Sequence, residues 1–104
     1  MAIQTCPTDI VAATAERVWE LLTIPEGLAR WSGTKLLDGP RRPLAAGDRL
    51  VLGPGFGLEI ILDVRFLERP TQLTLDAHLP FGVINHEVIR ISSLEGRRCR
   101  VTFN

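Results

Sequence analysis

Apolar and polar positions alternate most regularly from Leu58 onward, where Leu58, Ile60, Leu62, Val64 and Phe66 interleave with Glu59, Ile61, Asp63 and Arg65. A period of two sends the two sets to opposite faces of an extended chain, so the spacing predicts a strand with one buried face. Arg69-Pro70-Thr71 then offers a turn, and Leu73, Leu75, Ala77 and Leu79 repeat the alternation against Thr74, Asp76 and His78. After a second turn at Pro80-Phe81-Gly82, a third long strand is predicted over 83–94. Glu95-Gly96-Arg97 makes a hairpin into a last strand over 99–103. Strands joined by turns this short pair antiparallel.

Upstream the period lengthens. Val18, Leu21 and Leu22 recur at helical spacing behind Thr14, whose hydroxyl suits an N-cap, and Glu16 falls in the first turn, where the helix dipole favours an acid. A short amphipathic helix is predicted over 15–22. Pro25 cannot continue that helix but fits the first turn of another, on which Leu28 and Trp31 share a face. Residues 3–13 have extended character interrupted by Pro7 and Asp9, which predicts a first strand that is twisted or bulged. From Gly33 to Gly57, glycine and proline punctuate two short apolar pieces, predicted as strands around 35–37 and 49–52. The order is strand, two small helices, long meander, without βαβ alternation, so the expected class is α+β in a single domain over 1–104.

Three long strands with one apolar face each pose a packing problem. Curling the sheet turns those faces toward one concavity that two short helices cannot fill. Each buried Leu, Ile or Phe contributes about 1.5–3 kcal/mol, so an open face forfeits a good part of the folding margin. The sequence stops at Asn104 inside the last predicted strand. The expectation is therefore that a C-terminal helix belongs to a longer protein, or that a second copy covers the groove as a homodimer.

Composition narrows the partners. The chain has 104 residues, 45% hydrophobic and 23% charged, an ordinary globular balance. Twelve basic and twelve acidic side chains cancel, leaving no general field to collect phosphates, which argues against nucleic acid. The clusters Arg41-Arg42 and Arg97-Arg98-x-Arg100 read as solvated loop and strand-edge charges. No apolar run approaches a membrane span and the first residues have no leader pattern, so a cytoplasmic location is expected. Cys6 and Cys99 lack C-x-x-C spacing and are expected to stay reduced as small apolar groups.

The candidate chemistry lies in the third long strand. If Val83, Ile89 and Ile91 face the concavity, Asn85 and Glu87 face it too, and desolvation there would favour protonation of the carboxylate, as in a tuned acid or base. The opposite register places Ile84, His86, Val88 and Arg90 inside, and both registers stand at this point. His86-Glu87-Val88-Ile89-Arg90 begins like a zinc-protease motif, but arginine replaces the second ligand and the pattern is a strand, so no metal is expected. Gly53-Pro54-Gly55-Phe56-Gly57 lacks the lysine and helix of a phosphate loop and reads as a hairpin turn. His78 falls on the polar side of its strand, and Trp19 either lines a pocket or completes helix packing, the second being favoured.

The stretch Ala13-Thr14-Ala15-Glu16-Arg17-Val18-Trp19-Glu20-Leu21-Leu22-Thr23-Ile24-Pro25-Glu26-Gly27-Leu28-Ala29-Arg30-Trp31 resembles the opening signature of the SRPBCC superfamily, which gathers START, polyketide cyclase/dehydrase and pollen-allergen-like domains. Gly47-Asp48-Arg49-Leu50 and Glu95-Gly96-Arg97-Arg98-Cys99-Arg100-Val101-Thr102-Phe103 agree with it. The resemblance implies a helix-grip fold: a strongly curved antiparallel sheet of about six to seven strands, two short helices after the first strand, and a long C-terminal helix over a ligand cavity. It also implies that Val18, Leu21, Leu22, Leu28 and Trp31 pack the helices on the sheet. The sequence contains no such C-terminal helix, so the domain is expected to be C-terminally incomplete.

The resulting expectation is a binder of a hydrophobic small molecule, lipid-, polyketide- or aromatic-like, with no cofactor and no metal. Its groove would be lined by Trp19, Leu58, Ile60, Leu62, Val64, Leu73, Leu75, Val83, Asn85, Glu87 and Ile89. One rival is a polyketide cyclase or dehydratase-like enzyme using Glu87 with Asn85 or His86. Another is an interaction module whose open sheet docks a helix or a second chain.

Overall fold

The computed structural model describes residues 8–103. The first strand, β1 (Thr8–Val11), is the described part of the strand expected over 3–13; residues 3–7 lie outside the described residues, as does Cys6. The Thr14 hydroxyl accepts a hydrogen bond from the Arg17 N–H at 3.2 Å and opens α1 (Ala15–Leu22). Thr23 ends it, giving both its backbone N–H (2.9 Å) and its hydroxyl (2.7 Å) to the Trp19 carbonyl. The buried stripe of α1 is Ala15, Val18, Trp19 and Leu22. Leu21 was expected on that stripe and is 38% exposed instead, because Trp19 takes the place one turn before Thr23 and Leu21 points about a quarter-turn away.

Pro25 occupies the first position of α2 (Pro25–Trp31), which buries Leu28 and Ala29. The two helices approach so closely that a Cβ on Gly27 would sit 2.0 Å from the Leu21 carbonyl oxygen. Six further strands follow: β2 (Lys35–Asp38), β3 (Arg49–Gly55), β4 (Leu58–Glu68), β5 (Gln72–His78), β6 (Ile84–Leu94) and β7 (Arg98–Phe103). They form one antiparallel seven-stranded sheet in the order β1-β7-β6-β5-β4-β3-β2. The helices thus carry the chain from one edge of the sheet to the other, and the meander returns it. Among the described residues no helix follows β7, and none is long and apolar enough to cross a membrane.

Register decides which residues share a face. Val64 pairs with Leu75, but Phe66 pairs with Thr74, so Arg65 is an extra residue in β4. Such a bulge bends the strand and reverses the parity beyond it. Phe66, expected on the buried face with Val64, therefore points outward at 46% exposure, while Leu67 pairs with Leu73 and packs against the core. Further irregularities between Leu36 and Asp38 and between Leu52 and Gly55 interrupt the pairing of β3 with its two neighbours.

The core lies on the concave side. Leu50, Leu73, Leu75, Val64, Val101 and Cys99 are almost fully buried together with Val18, Leu22 and Leu28. Cys99 is free, and burial pushes its thiol above the ordinary range. The convex side carries two charge ladders instead. Asp63 is held by Arg49 (2.8 Å) and His78 (2.9 Å), and Asp76 by Arg65 (3.1 Å) and His86.

Candidate functional site

The pairing of β5 with β6 settles the register left open by the sequence. Leu73 faces Ile89, Leu75 faces Glu87 and Ala77 faces Asn85 across the two strands. Directly paired residues share a face, so Val83's parity set, with Asn85, Glu87, Ile89 and Ile91, belongs to the concave side. His86 pairs with Asp76 and belongs to the convex side, where its Nδ1 meets the Asp76 carboxylate. An acid/base pair of Glu87 with His86 is thus divided between the two faces of the sheet.

Along three strands the concave residues pass from buried to open in the same direction. Val64, Leu62, Ile60 and Leu58 on β4 run from 1% exposure to 43%. On β5 the series Leu73, Leu75 and Ala77 is buried and continues to half-buried Leu79. On β6, Ile91 and Ile89 are buried, Glu87 is half-buried and Asn85 is exposed. Helix α1 covers the buried end, where it packs on β6 and β7. The other end keeps a hollow.

That hollow is a cavity of about 430 Å³. The sheet contributes Ile60 and Leu62 from β4, Leu75 and Ala77 from β5, and Glu87 and Ile89 from β6, with Leu79 just beyond β5. Leu52, Phe103 and Asp9 reach it from β3, β7 and β1, and Leu28, Trp31, Ser32 and Thr34 close its side from α2 and the turn that follows. The Trp31 and Phe103 rings lie 5.9 Å apart between centroids, tilted by 36°. Ser32 and Thr34 are there because they end α2: the Ser32 hydroxyl donates to the Leu28 carbonyl (2.8 Å) and the Thr34 hydroxyl to the Ala29 carbonyl (3.1 Å).

Glu87 is the polar group that the central strands β4, β5 and β6 contribute to this wall. Among the described residues it has no hydrogen-bond or ion-pair partner, and burial among apolar neighbours pushes its carboxyl above the ordinary range. Of the expected lining residues, Ile60, Leu62, Leu75, Glu87 and Ile89 meet at the cavity. Trp19 (4% exposed), Val64 and Leu73 lie in the packed core instead. Leu58 and Val83, at 43% and 49% exposure, and Asn85 sit past the open end and do not line the hollow. No group of three or more His, Cys, Asp or Glu able to hold a metal occurs among the described residues.

Sequence reasoning missed Leu28, Trp31, Phe103, Ser32, Thr34, Leu52 and Asp9 as wall residues, since each depends on how distant elements cross. Ala77 and Leu79 could have been found, because they continue the Leu73 and Leu75 alternation. A second, more open groove of about 740 Å³ lies between Ile24 to Glu26 and the segment from Leu36 to Pro43. It shares no residue with the concave hollow. Its charges are mixed, and its Arg42 is bound to Asp48 at 2.8 Å, so the concave hollow is the better candidate despite being smaller.

Among solved structures, the chain superposes on DynU16, a protein of the dynemicin biosynthetic locus, with a TM-score of 0.74 at 19% identity, over 94% of this chain and 35% of that one. The fold is helix-grip. CalU16 from Micromonospora echinospora gives a TM-score of 0.70 at 21% identity over 94% of this chain and 56% of its own. The Aha1 dimer from Colwellia psychrerythraea gives 0.74 at 14% identity over 98% and 74%. At these identities the likeness concerns the fold. The chain therefore spans about a third of DynU16 and just over half of CalU16. No protein-family model matches the sequence, and no match is found among curated proteins.

Proposed function

We propose that this helix-grip chain binds a hydrophobic small molecule in the concave hollow. The supporting observation is that apolar faces of β4, β5 and β6 converge on one 430 Å³ space which α1 leaves open. That volume falls in the range of small-molecule sites, and its walls are mainly aliphatic and aromatic. Ligand burial would supply the stabilisation that an open apolar surface forgoes.

Neighbouring isoleucines provide the test. Ile60 lines the hollow, whereas Ile61 pairs with His78 on the convex side, and both are half-buried. With Nile red as a neutral probe, Ile60→Asp is expected to weaken binding at least about tenfold while Ile61→Asp leaves it near the wild-type value. Equal effects of the two substitutions, or no binding by the wild type, would reject the reading.

A second reading follows from Glu87. A partly desolvated carboxyl facing an apolar hollow has the setting of a general acid or base, so a cyclase or dehydratase-like reaction would use Glu87. Asn85, exposed beyond the hollow, and His86, on the far face, lie badly for sharing a proton with it. That reading requires turnover of a polyketide-like substrate that Glu87→Gln abolishes without loss of probe binding.

A further inference from the structure

The polar side chains of the hollow are mostly acceptors. Asp9 and Glu87 are carboxyl residues, and the Ser32 and Thr34 hydroxyls already give their protons to the Leu28 and Ala29 carbonyls, which leaves their oxygens as acceptors. Among the described lining residues the Trp31 indole carries the sole side-chain N–H. Among the described residues no arginine, lysine or histidine lines the hollow, although the chain has as many basic residues as acidic ones.

Several of the arginines are paired with acids away from the hollow. Arg49 and Arg65 are engaged with Asp63 and Asp76 on the convex face, Arg42 with Asp48, and Arg69 with Glu16. A hydrophobic carboxylate or phosphate entering the hollow would lose hydration and meet acids without a counterion. A ligand that brings its own donors would meet in one hollow a Glu87 carboxylate without a partner among the described residues and the Trp31 and Phe103 rings, a combination suited to a positively charged nitrogen.

Resting on the reading of the hollow as a ligand site, we infer that it selects apolar organic cations, amines above all, and rejects hydrophobic anions. Glu87 is the recognising group, because the β5–β6 register aims it into the hollow and nothing else among the described residues pairs with it. Charge complementarity then decides between ligands of equal apolar size.

A matched series tests this at pH 7: octylammonium, 1-octanol and octanoate, each displacing Nile red from the wild-type chain and from Glu87→Gln. The expected order in the wild type is amine, alcohol, carboxylate, with the amine at least about tenfold tighter than the carboxylate. In Glu87→Gln the amine is expected to fall to the level of the alcohol, with Nile red still bound. Octanoate binding as tightly as the amine, or an amine preference that survives Glu87→Gln, overturns the selectivity and leaves the hydrophobic site standing. Failure of Nile red and all three competitors to bind the wild type overturns both. The wild-type series decides the matter even if the variant does not fold.

Discussion

Gly27 illustrates how single residues set this architecture. Its missing side chain lets α2 cross the end of α1, and the atom that a Cβ would strike, the Leu21 carbonyl oxygen, is backbone and cannot swing aside. Gly27→Ala is therefore expected to cost about 2 kcal/mol, seen as a fall in Tm of roughly ten degrees, against the usual preference of helices for alanine. Phe81 is the converse case: it is fully exposed with φ of 69°, so it makes no packing contribution that offsets a left-handed backbone. Phe81→Gly is expected to raise stability by about 0.5–1 kcal/mol in urea titration.

Glu87 adds a pH signature at the same scale. Its folded pKa is raised, so ionising it costs stability that is fully felt above the folded pKa and is relieved as pH falls through it. Glu87→Gln should accordingly be more stable than wild type at pH 7 and lose that advantage in acid, measured as Tm against pH. The inward placement of Glu87 was half legible: alternation tied it to Val83, Ile89 and Ile91, but only pairing with Leu75 chose the face.

At the level of elements, β4 shows what alternation reads and what it misses. Residues 58–64 obey a period of two and sort as expected, whereas the Arg65 bulge turns Phe66 out and Leu67 in. The apolar doublet Phe66-Leu67 was the available signal, because strict alternation cannot bury both. Helix bounds were legible because Thr14 and Pro25 act locally through a hydroxyl cap and a fixed φ. Leu21 was misassigned because one tryptophan outcompeted it for the core.

The convex ladders belong to this scale too. Asp63 and Asp76 stand opposite each other on β4 and β5, a repulsive arrangement offset by the arginine and histidine beside each. The hydrogen bond from Arg49, then that from His78, holds Asp63 below the usual carboxylate range. A depressed acid contributes stability above its unfolded pKa, near 4, and that contribution is lost as pH falls through the lower folded value. Asp63→Asn should lower Tm at neutral pH and flatten its decline in acid. Thermal melts from pH 7 to pH 2 that keep the wild-type slope would contradict this assignment.

For the whole molecule, the sequence conveyed class, the antiparallel pairing of consecutive strands and the convergence of three apolar faces, because each follows from local period and short turns; the pairing of β1 with β7 is non-local and was not legible. The extent of the hollow was not legible. It depends on where α1 stops along the concave face and on Trp31 and Phe103 meeting across it, which are consequences of curvature. If a second copy covers the exposed end of the concave face, as the sequence led us to expect, light scattering after size exclusion reads a dimer that a saturating hydrophobic ligand dissociates. The central claim remains that the concave hollow receives an apolar ligand.

The most direct measurement is a two-dimensional methyl NMR titration with 1-octanol. Shifts confined to the methyls that line the hollow (Leu28, Leu52, Ile60, Leu62, Leu75, Ala77, Leu79 and Ile89), with Ile61, Ile84 and Val88 unmoved, are the predicted result; shifts on the convex methyls alone, or none at saturation, would contradict it.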